Sequence, residues 1–313
     1  MRFNPKARID QSQVEVRRGG GGGGFGGGGS RLPIPTGGKG GLGIGGIIVI
    51  VLFIVLSQCV GGGGGLGGGP GGGGTTSGAG DQQASNECRT GADANSSDAC
   101  AIDLFTTSVQ DYWDQAYPDQ TGEAYQPIRT VRFEGSTQSG CGQASSEMGP
   151  FYCPNDQQVY LDTTFFDDML RGQLGAQGGP FAIGYVIAHE YGHHVEDLQG
   201  DLGRIRTQQG AQSDAVRVEL KADCLAGMWA RSATRTQDQD GQTIISDLTQ
   251  DDITRAIDAA EAVGDDRIQQ RSGGRVDTDS FTHGSAAQRV KWFNIGLEQG
   301  SLEACDTFAA RRL

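Results

Sequence analysis

The run Phe181-Ala-Ile-Gly-Tyr-Val-Ile-Ala-His189-Glu190-Tyr-Gly-His193-His194-Val195 decides how this chain is read. Its first eight residues carry no charge and are mostly apolar, so whatever follows is delivered from a buried helix. Three of the four histidines of the chain then fall within six residues. His189 and His193 lie four apart, about 40° around a helix axis, and can share one ion. Two imidazoles suit zinc, and Glu190 between them is placed to take a proton from water. Without a cation, two histidines and an acid on a buried helix would carry a desolvation cost with nothing to offset it. His194 points about 100° away from His193, which favours packing over metal binding. Gly192 costs about 1 kcal/mol in a helix interior and implies close approach of another element.

Working outward, the third ligand sets the subclass. A third histidine would be required at position 199 in the H-E-x-x-H-x-x-G-x-x-H pattern, but residue 196 is Glu and residue 199 is Gln. Downstream, residues 213–230 have helical periodicity and carry Glu219 and Asp223 four apart, among Val216, Val218, Leu220, Ala222 and Leu225. Such a helix folds back against the first. Glu219 then supplies a carboxylate ligand, and Asp223 accepts a hydrogen bond from the outer nitrogen of a metal-bound histidine. The fourth histidine, His283, precedes a capping box of Ser285 and Gln288, so a helix starts near Ser285. From there His283 can donate to a developing oxyanion, with Arg289 assisting or anchoring substrate.

The rest of the chain reads as one body with a long preface. Of 54 glycines, 31 lie between Gly19 and Gly80, in runs without the three-residue period of collagen. The charge of −13 is uneven: residues 1–40 hold seven Arg or Lys against Asp10 and Glu15, and the remainder is strongly acidic. An acidic body excludes a nucleic-acid surface. Residues 42–60 carry no charge and are long enough for one transmembrane helix. The positive-inside rule then places the arm in the cytoplasm and the body outside the inner membrane, as an uncleaved anchor. The expected divisions are a basic, glycine-rich arm over 1–41, the membrane helix over 42–60, a glycine-rich linker over 61–87 and the metal-binding domain over 88–313. Oligomeric state is not legible.

Six cysteines follow Cys59. Export and the absence of C-x-x-C spacing point to three disulfides, for which fifteen connectivities exist. Short loops favour Cys88 with Cys100 and Cys141 with Cys153, leaving Cys224 for Cys305. Helical spacing over 101–115, alternation around Val131 and Phe133, a β-rich run over 158–162, helical spacing over 163–174 and a polar surface excursion over 231–246 complete the pattern. The order predicts an α+β fold with a small sheet beside helices.

These residues resemble the membrane-anchored bacterial neutral zinc metallopeptidases, similar in ligand pattern to the gluzincins. The likeness runs through Ser12-Gln-Val-Glu-Val-Arg-Arg-Gly19, Gly149-Pro-Phe-Tyr-Cys-Pro154, Val159-Tyr-Leu-Asp162, Ala222-Asp-Cys-Leu-Ala-Gly227, Thr282-His-Gly284 and Gln288-Arg289. The resemblance implies a zincin-like, gluzincin-type fold that hydrolyses peptide bonds, with His189, His193 and Glu219 as zinc ligands and Glu190 as base. It also supports His283 and Arg289, and implies that the Val159–Asp162 strand pairs with an extended peptide. The competing expectation is a zinc-stabilised envelope-binding or chaperone-like module without hydrolytic activity. The intact Glu190 speaks against it.

Overall fold

The computed structural model describes residues 1–17 and 87–313. In chain order the strands are β1 (Arg2–Phe3), β2 (Val14–Arg17), β3 (Arg129–Phe133), β4 (Ser136–Ser139), β5 (Gly142–Ser145), β6 (Phe151–Cys153), β7 (Gln158–Asp162) and β8 (Ile245–Asp247). The helices are the single turn α1 (Gly91–Ala94), then α2 (Asp98–Thr121), α3 (Pro180–Leu198), α4 (Asp214–Ser232), α5 (Gln250–Ala262), α6 (Asp265–Arg271) and α7 (Ala286–Gln299). A four-stranded sheet of order β2-β3-β7-β6 lies beside the helices, with β2, β3 and β7 parallel and β6 antiparallel to β7. The mixed α and β architecture with small sheets is the one expected.

Local chemistry sets the helix ends. The Ser97 side chain accepts from the Cys100 N–H at the start of α2, and Gly122 closes that helix in a left-handed conformation at φ 75°. Pro180 opens α3 at its first turn, where a missing N–H costs nothing. Ser213 caps α4, and Ser285 with Gln288 forms the expected capping box on α7. Residues 163–174 are not the α-helix their spacing predicts: Phe166–Gln173 is a π-helix. Periodicity in a short run does not separate the two ladders.

The helices meet where side chains vanish. A Cβ on Gly227 of α4 would stand 2.1 Å from the Phe293 carbonyl oxygen, and one on Gly296 of α7 would stand 1.8 Å from the Cys224 carbonyl oxygen. These two glycines let α4 and α7 touch backbone to backbone, and the Cys224–Cys305 disulfide ties the end of the chain to the same place. The other two disulfides, Cys88–Cys100 and Cys141–Cys153, are the pairs that short loops favoured, and Cys224–Cys305 is the pair they left. Gly192 of α3 meets Ala222 of α4 in the same way, with Cβ-to-Cα at 2.9 Å, as its helix cost implied. Phe181 stacks on Trp229, and Phe105 meets both rings edge-on.

The amino terminus corrects the expected divisions. Residues 1–17 do not form part of a separate arm over 1–41. Phe3 is 1% exposed and packs on Phe105 with ring centroids 4.8 Å apart, and Ala7 and Ile9 are buried with it. Strand β1 pairs with β8, while β2 pairs with β3 from Val14↔Thr130 to Arg17↔Phe133. Burying one such phenylalanine is worth about 1.5–3 kcal/mol, so core-forming residues outweigh the polar ones around them. The excursion over 231–246 is correspondingly partly buried, because Ile244 and Ile245 take up β1. The segments 42–60 and 61–86 lie outside the described residues, and among the described residues no helix is long and apolar enough to cross a membrane.

Candidate metal centre

The close approach at Gly192 and Ala222 brings the histidine face of α3 onto the carboxylate face of α4. His189 Nε2 is 3.3 Å from Glu219 Oε2, and His193 Nε2 is 3.7 Å from Glu219 Oε1. One donor atom from each of the three residues lies within 4.8 Å of the others. Three converging donors, two nitrogens and one oxygen, form an open-sided site that suits zinc with a remaining position for water or substrate. His194 stands outside this cluster: its Nδ1 is 3.1 Å from Tyr152 Oη and its Nε2 is 2.8 Å from the Gln126 carbonyl oxygen.

The nitrogens turned away from Glu219 are held by acids. His189 Nδ1 is 3.0 Å from Asp223 Oδ1, the partner expected from sequence. Asp223 also accepts from Tyr185 Oη at 2.6 Å and from Arg289 Nε and Nη2 at 2.9 and 3.0 Å. The Nε and Nη2 of Arg289 thus fix the Asp223 carboxylate, a contact its expected role did not include, while Arg289 also lines the cleft. Nothing near Arg289 in sequence reports that pairing, which spans 66 residues. His283 lies on the cleft with Glu190 and Glu219. Asp265 Oδ2 accepts the backbone N–H groups of Thr282, His283 and Gly284, and His283 Nδ1 is 2.9 Å from Thr282 Oγ1. Asp265 therefore shapes the loop that presents His283, a role that sequence reasoning missed because no local pattern links residues 18 apart.

The electrostatics favour a cation between the three donors. Burial alone would lower the pKa of His189, but hydrogen bonds to Asp223 and Glu219 outweigh it and push the group up to about 10. In the metal-free site a proton on His189 thus stands where positive charge is wanted. Glu219 is desolvated, which raises its pKa, yet His283 and the two ligand imidazoles bring it well below the usual carboxylate range. Glu190 moves the other way: burial raises its pKa, and the imidazoles of His189 and His193 offset this only in part. A buried carboxyl with a raised pKa, beside an ion site but outside the three-donor cluster, is suited to accept and return a proton.

The cleft above the site is largely apolar, lined among others by Met148, Phe165, Met169, Val186, Leu202 and Val263. Its wall is β6, with Gly149 to Tyr152 on the cleft. This corrects the strand expected to pair with peptide. Val159–Asp162 belongs to β7, which is flanked by β3 and β6 and has no free edge, whereas β6 ends the sheet.

Over residues 1–308 the chain matches the model of the family described as "Putative neutral zinc metallopeptidase". An uncharacterized protein of Mycobacterium tuberculosis is 50% identical over 232 residues, which cover 73% of this chain and 76% of the relative. The uncharacterized protein YpfJ of Escherichia coli K12 is 44% identical over 211 residues, covering 66% of this chain and 69% of the relative. No solved structure matches the chain.

Proposed function

The chain belongs to that family, and from this premise we propose that it is a zinc-dependent peptidase that cleaves extended polypeptides lying along β6. The observation that carries the reading is the convergence of His189, His193 and Glu219 beside the buried Glu190. A zinc ion held by the three ligands would supply Lewis-acid polarisation of a peptide carbonyl and acidify water. Glu190 accepts the proton of the attacking water and passes it to the leaving amine, a dual task matched by its raised pKa. Asp223, held by Arg289 and Tyr185, keeps the His189 ring turned toward Glu219. His283, presented by the Asp265 loop, donates a hydrogen bond to the substrate oxygen as charge develops on it. Main-chain pairing with the free edge of β6 would bind peptide with little sequence preference, and the apolar cleft would favour a bulky apolar side chain next to the cleaved bond.

The three disulfides support a location in an oxidising compartment, outside the cytoplasm. The hydrogen-bonded β2 and β3 support placing residues 1–17 on that same side. Membrane attachment through 42–60 is then proposed with both flanks on one face, in place of a cytoplasmic amino terminus.

The test is zinc content and hydrolysis of denatured casein by the full chain, with Glu190→Gln beside it. The variant is expected to retain zinc and lose hydrolysis by at least 10²-fold. Equal turnover by the two proteins would overturn the mechanism.

A further inference from the structure

Each imidazole that faces Glu219 has its other nitrogen on a buried carboxylate, and the two carboxylates are not alike. Asp223, behind His189, has three other hydrogen bonds, two of them from a guanidinium. Behind His193 stands Glu196, whose Oε2 is 2.8 Å from His193 Nδ1. Glu196 is 0% exposed, and its second oxygen, Oε1, has no hydrogen-bond partner. A buried acid that keeps an empty oxygen is costly and rare in folded proteins.

Nearby charge offsets only part of that cost, since burial still holds the pKa of Glu196 well above its ordinary value. Lys221 of α4 is 5% exposed and points into the same interior. Its Nζ is bonded to Asp201 and, at 2.7 Å, to Gln199 Oε1, both just past the end of α3. Lys221 acts on Glu196 through space as the largest favourable charge on it. The pair Lys221 and Asp201 thereby pins the last turn of α3, which carries Glu196, and leaves the Glu196 carboxylate with one directional bond, to His193.

We infer that Glu196 is the positioning residue of the second histidine ligand: it holds His193 with hydrogen on Nδ1 and the Nε2 lone pair aimed at Glu219 and the ion. A carboxylate or carbonyl behind a metal-bound imidazole fixes its tautomer and raises its basicity, and losing it costs about 10–100-fold in metal affinity. The geometry arises because positions three apart on a helix share a face, so that His193 and Glu196 meet without help from another element. The inference rests on the metal-binding part of the proposed function and is independent of peptide hydrolysis.

The test compares Glu196→Ala and Glu196→Gln in the full chain by two measurements. The first is zinc affinity from competition with a chromogenic chelator. The second is the ¹⁵N chemical shifts of the His193 ring in metal-free protein, which report the tautomer directly. For Glu196→Ala we expect zinc affinity to fall about 10–100-fold and the His193 ring to lose its Nδ1–H preference. For Glu196→Gln, whose side-chain oxygen can still accept from Nδ1, both readouts should stay close to the parent. Parental zinc affinity and an unchanged tautomer in Glu196→Ala would overturn the inference, as would an equal loss in both variants. If the parent protein itself bound no zinc, the proposed function would fail, while the tautomer comparison would still decide the role of Glu196.

Discussion

Replacing Gly192 with alanine tests the contact on which the metal centre is built. On an isolated helix this change stabilises by about 1 kcal/mol, because glycine is the worse helix former. Here the new Cβ would stand 2.9 Å from Ala222 Cα, 3.1 Å from its oxygen and 3.2 Å from its Cβ. Carbon atoms prefer about 3.5–4.0 Å, so α3 and α4 must separate by roughly 0.6 Å or more at that point. Overpacking of this kind costs about 1–3 kcal/mol, which cancels or exceeds the propensity gain. Gly192 adjoins His193, and Ala222 is three residues beyond Glu219, so the separation falls directly between the ligands. Melting of the full chain should drop by up to about 8 °C, at 2–4 °C per kcal/mol for a body of this size. Zinc affinity, measured by chelator competition, should weaken about tenfold, or 1.4 kcal/mol. Gly227→Ala provides the contrast: its Cβ meets a backbone oxygen at 2.1 Å and disturbs α4 against α7. It should cost about 3 kcal/mol in stability, the upper end for overpacking. A Gly192→Ala protein that melts higher than its parent and binds zinc equally would refute the packing of α3 on α4 described here.

Chelation should lower the melting temperature, and added zinc should restore it. A ligand at 100 times its Kd contributes about 2.7 kcal/mol, or roughly 5–10 °C here; calorimetry showing no shift would count against an ion in the His189 site. Converting Cys224 and Cys305 together to serine opens a loop of 81 residues and should cost about 4.5 kcal/mol in the chain-entropy model, read as a lower urea midpoint. Asp111 offers a pH-dependent test, since burial first, and then Asp10, Asp238 and Asp114, raise its pKa to about 7, and its Oδ2 has no partner. The folded value lies above the unfolded one, so ionisation weakens the fold as pH rises from about 4 through about 7. Asp111→Asn should therefore raise the melting temperature at pH 8 by an amount equivalent to about 1–2 kcal/mol, after discounting for partial exposure, and leave it unchanged near pH 4. A gain of equal size at both pH values would show that another effect is responsible.

The cluster of His189, His193 and Glu219 was legible because it is local in sequence or carried by helix periodicity. His189, Glu190 and His193 share one turn, and Glu219 with Asp223 repeats the four-residue step on a second helix. Loop length sufficed for the disulfides. Glu196 had the same kind of signal, three residues after His193, and could have been found by asking what the outer nitrogen of that ring touches. Arg289 and Asp265 carried no such signal, because their partners are brought in only by the packing of α7 and α6. The edge of the sheet was equally hidden: β6 and β7 are both short and apolar, and only their pairing shows which has a free side. The amino-terminal strands were misread for a different reason. Basic and polar composition around Phe3, Ala7 and Ile9 looks like a solvated arm until β3 and β8 supply the missing neighbours.

That docking has a practical side. Asp81 looks like a natural starting point for a recombinant product, since everything chemical lies beyond it. Such a truncation would remove an outer strand of the four-stranded sheet, uncap the Phe105 ring and leave Ile244 and Ile245 facing solvent. Inactivity or aggregation of that fragment would say nothing about catalysis. A nick anywhere between residues 18 and 86, by contrast, would leave the first seventeen residues seated in their groove as part of a second, noncovalently held piece of an otherwise intact domain.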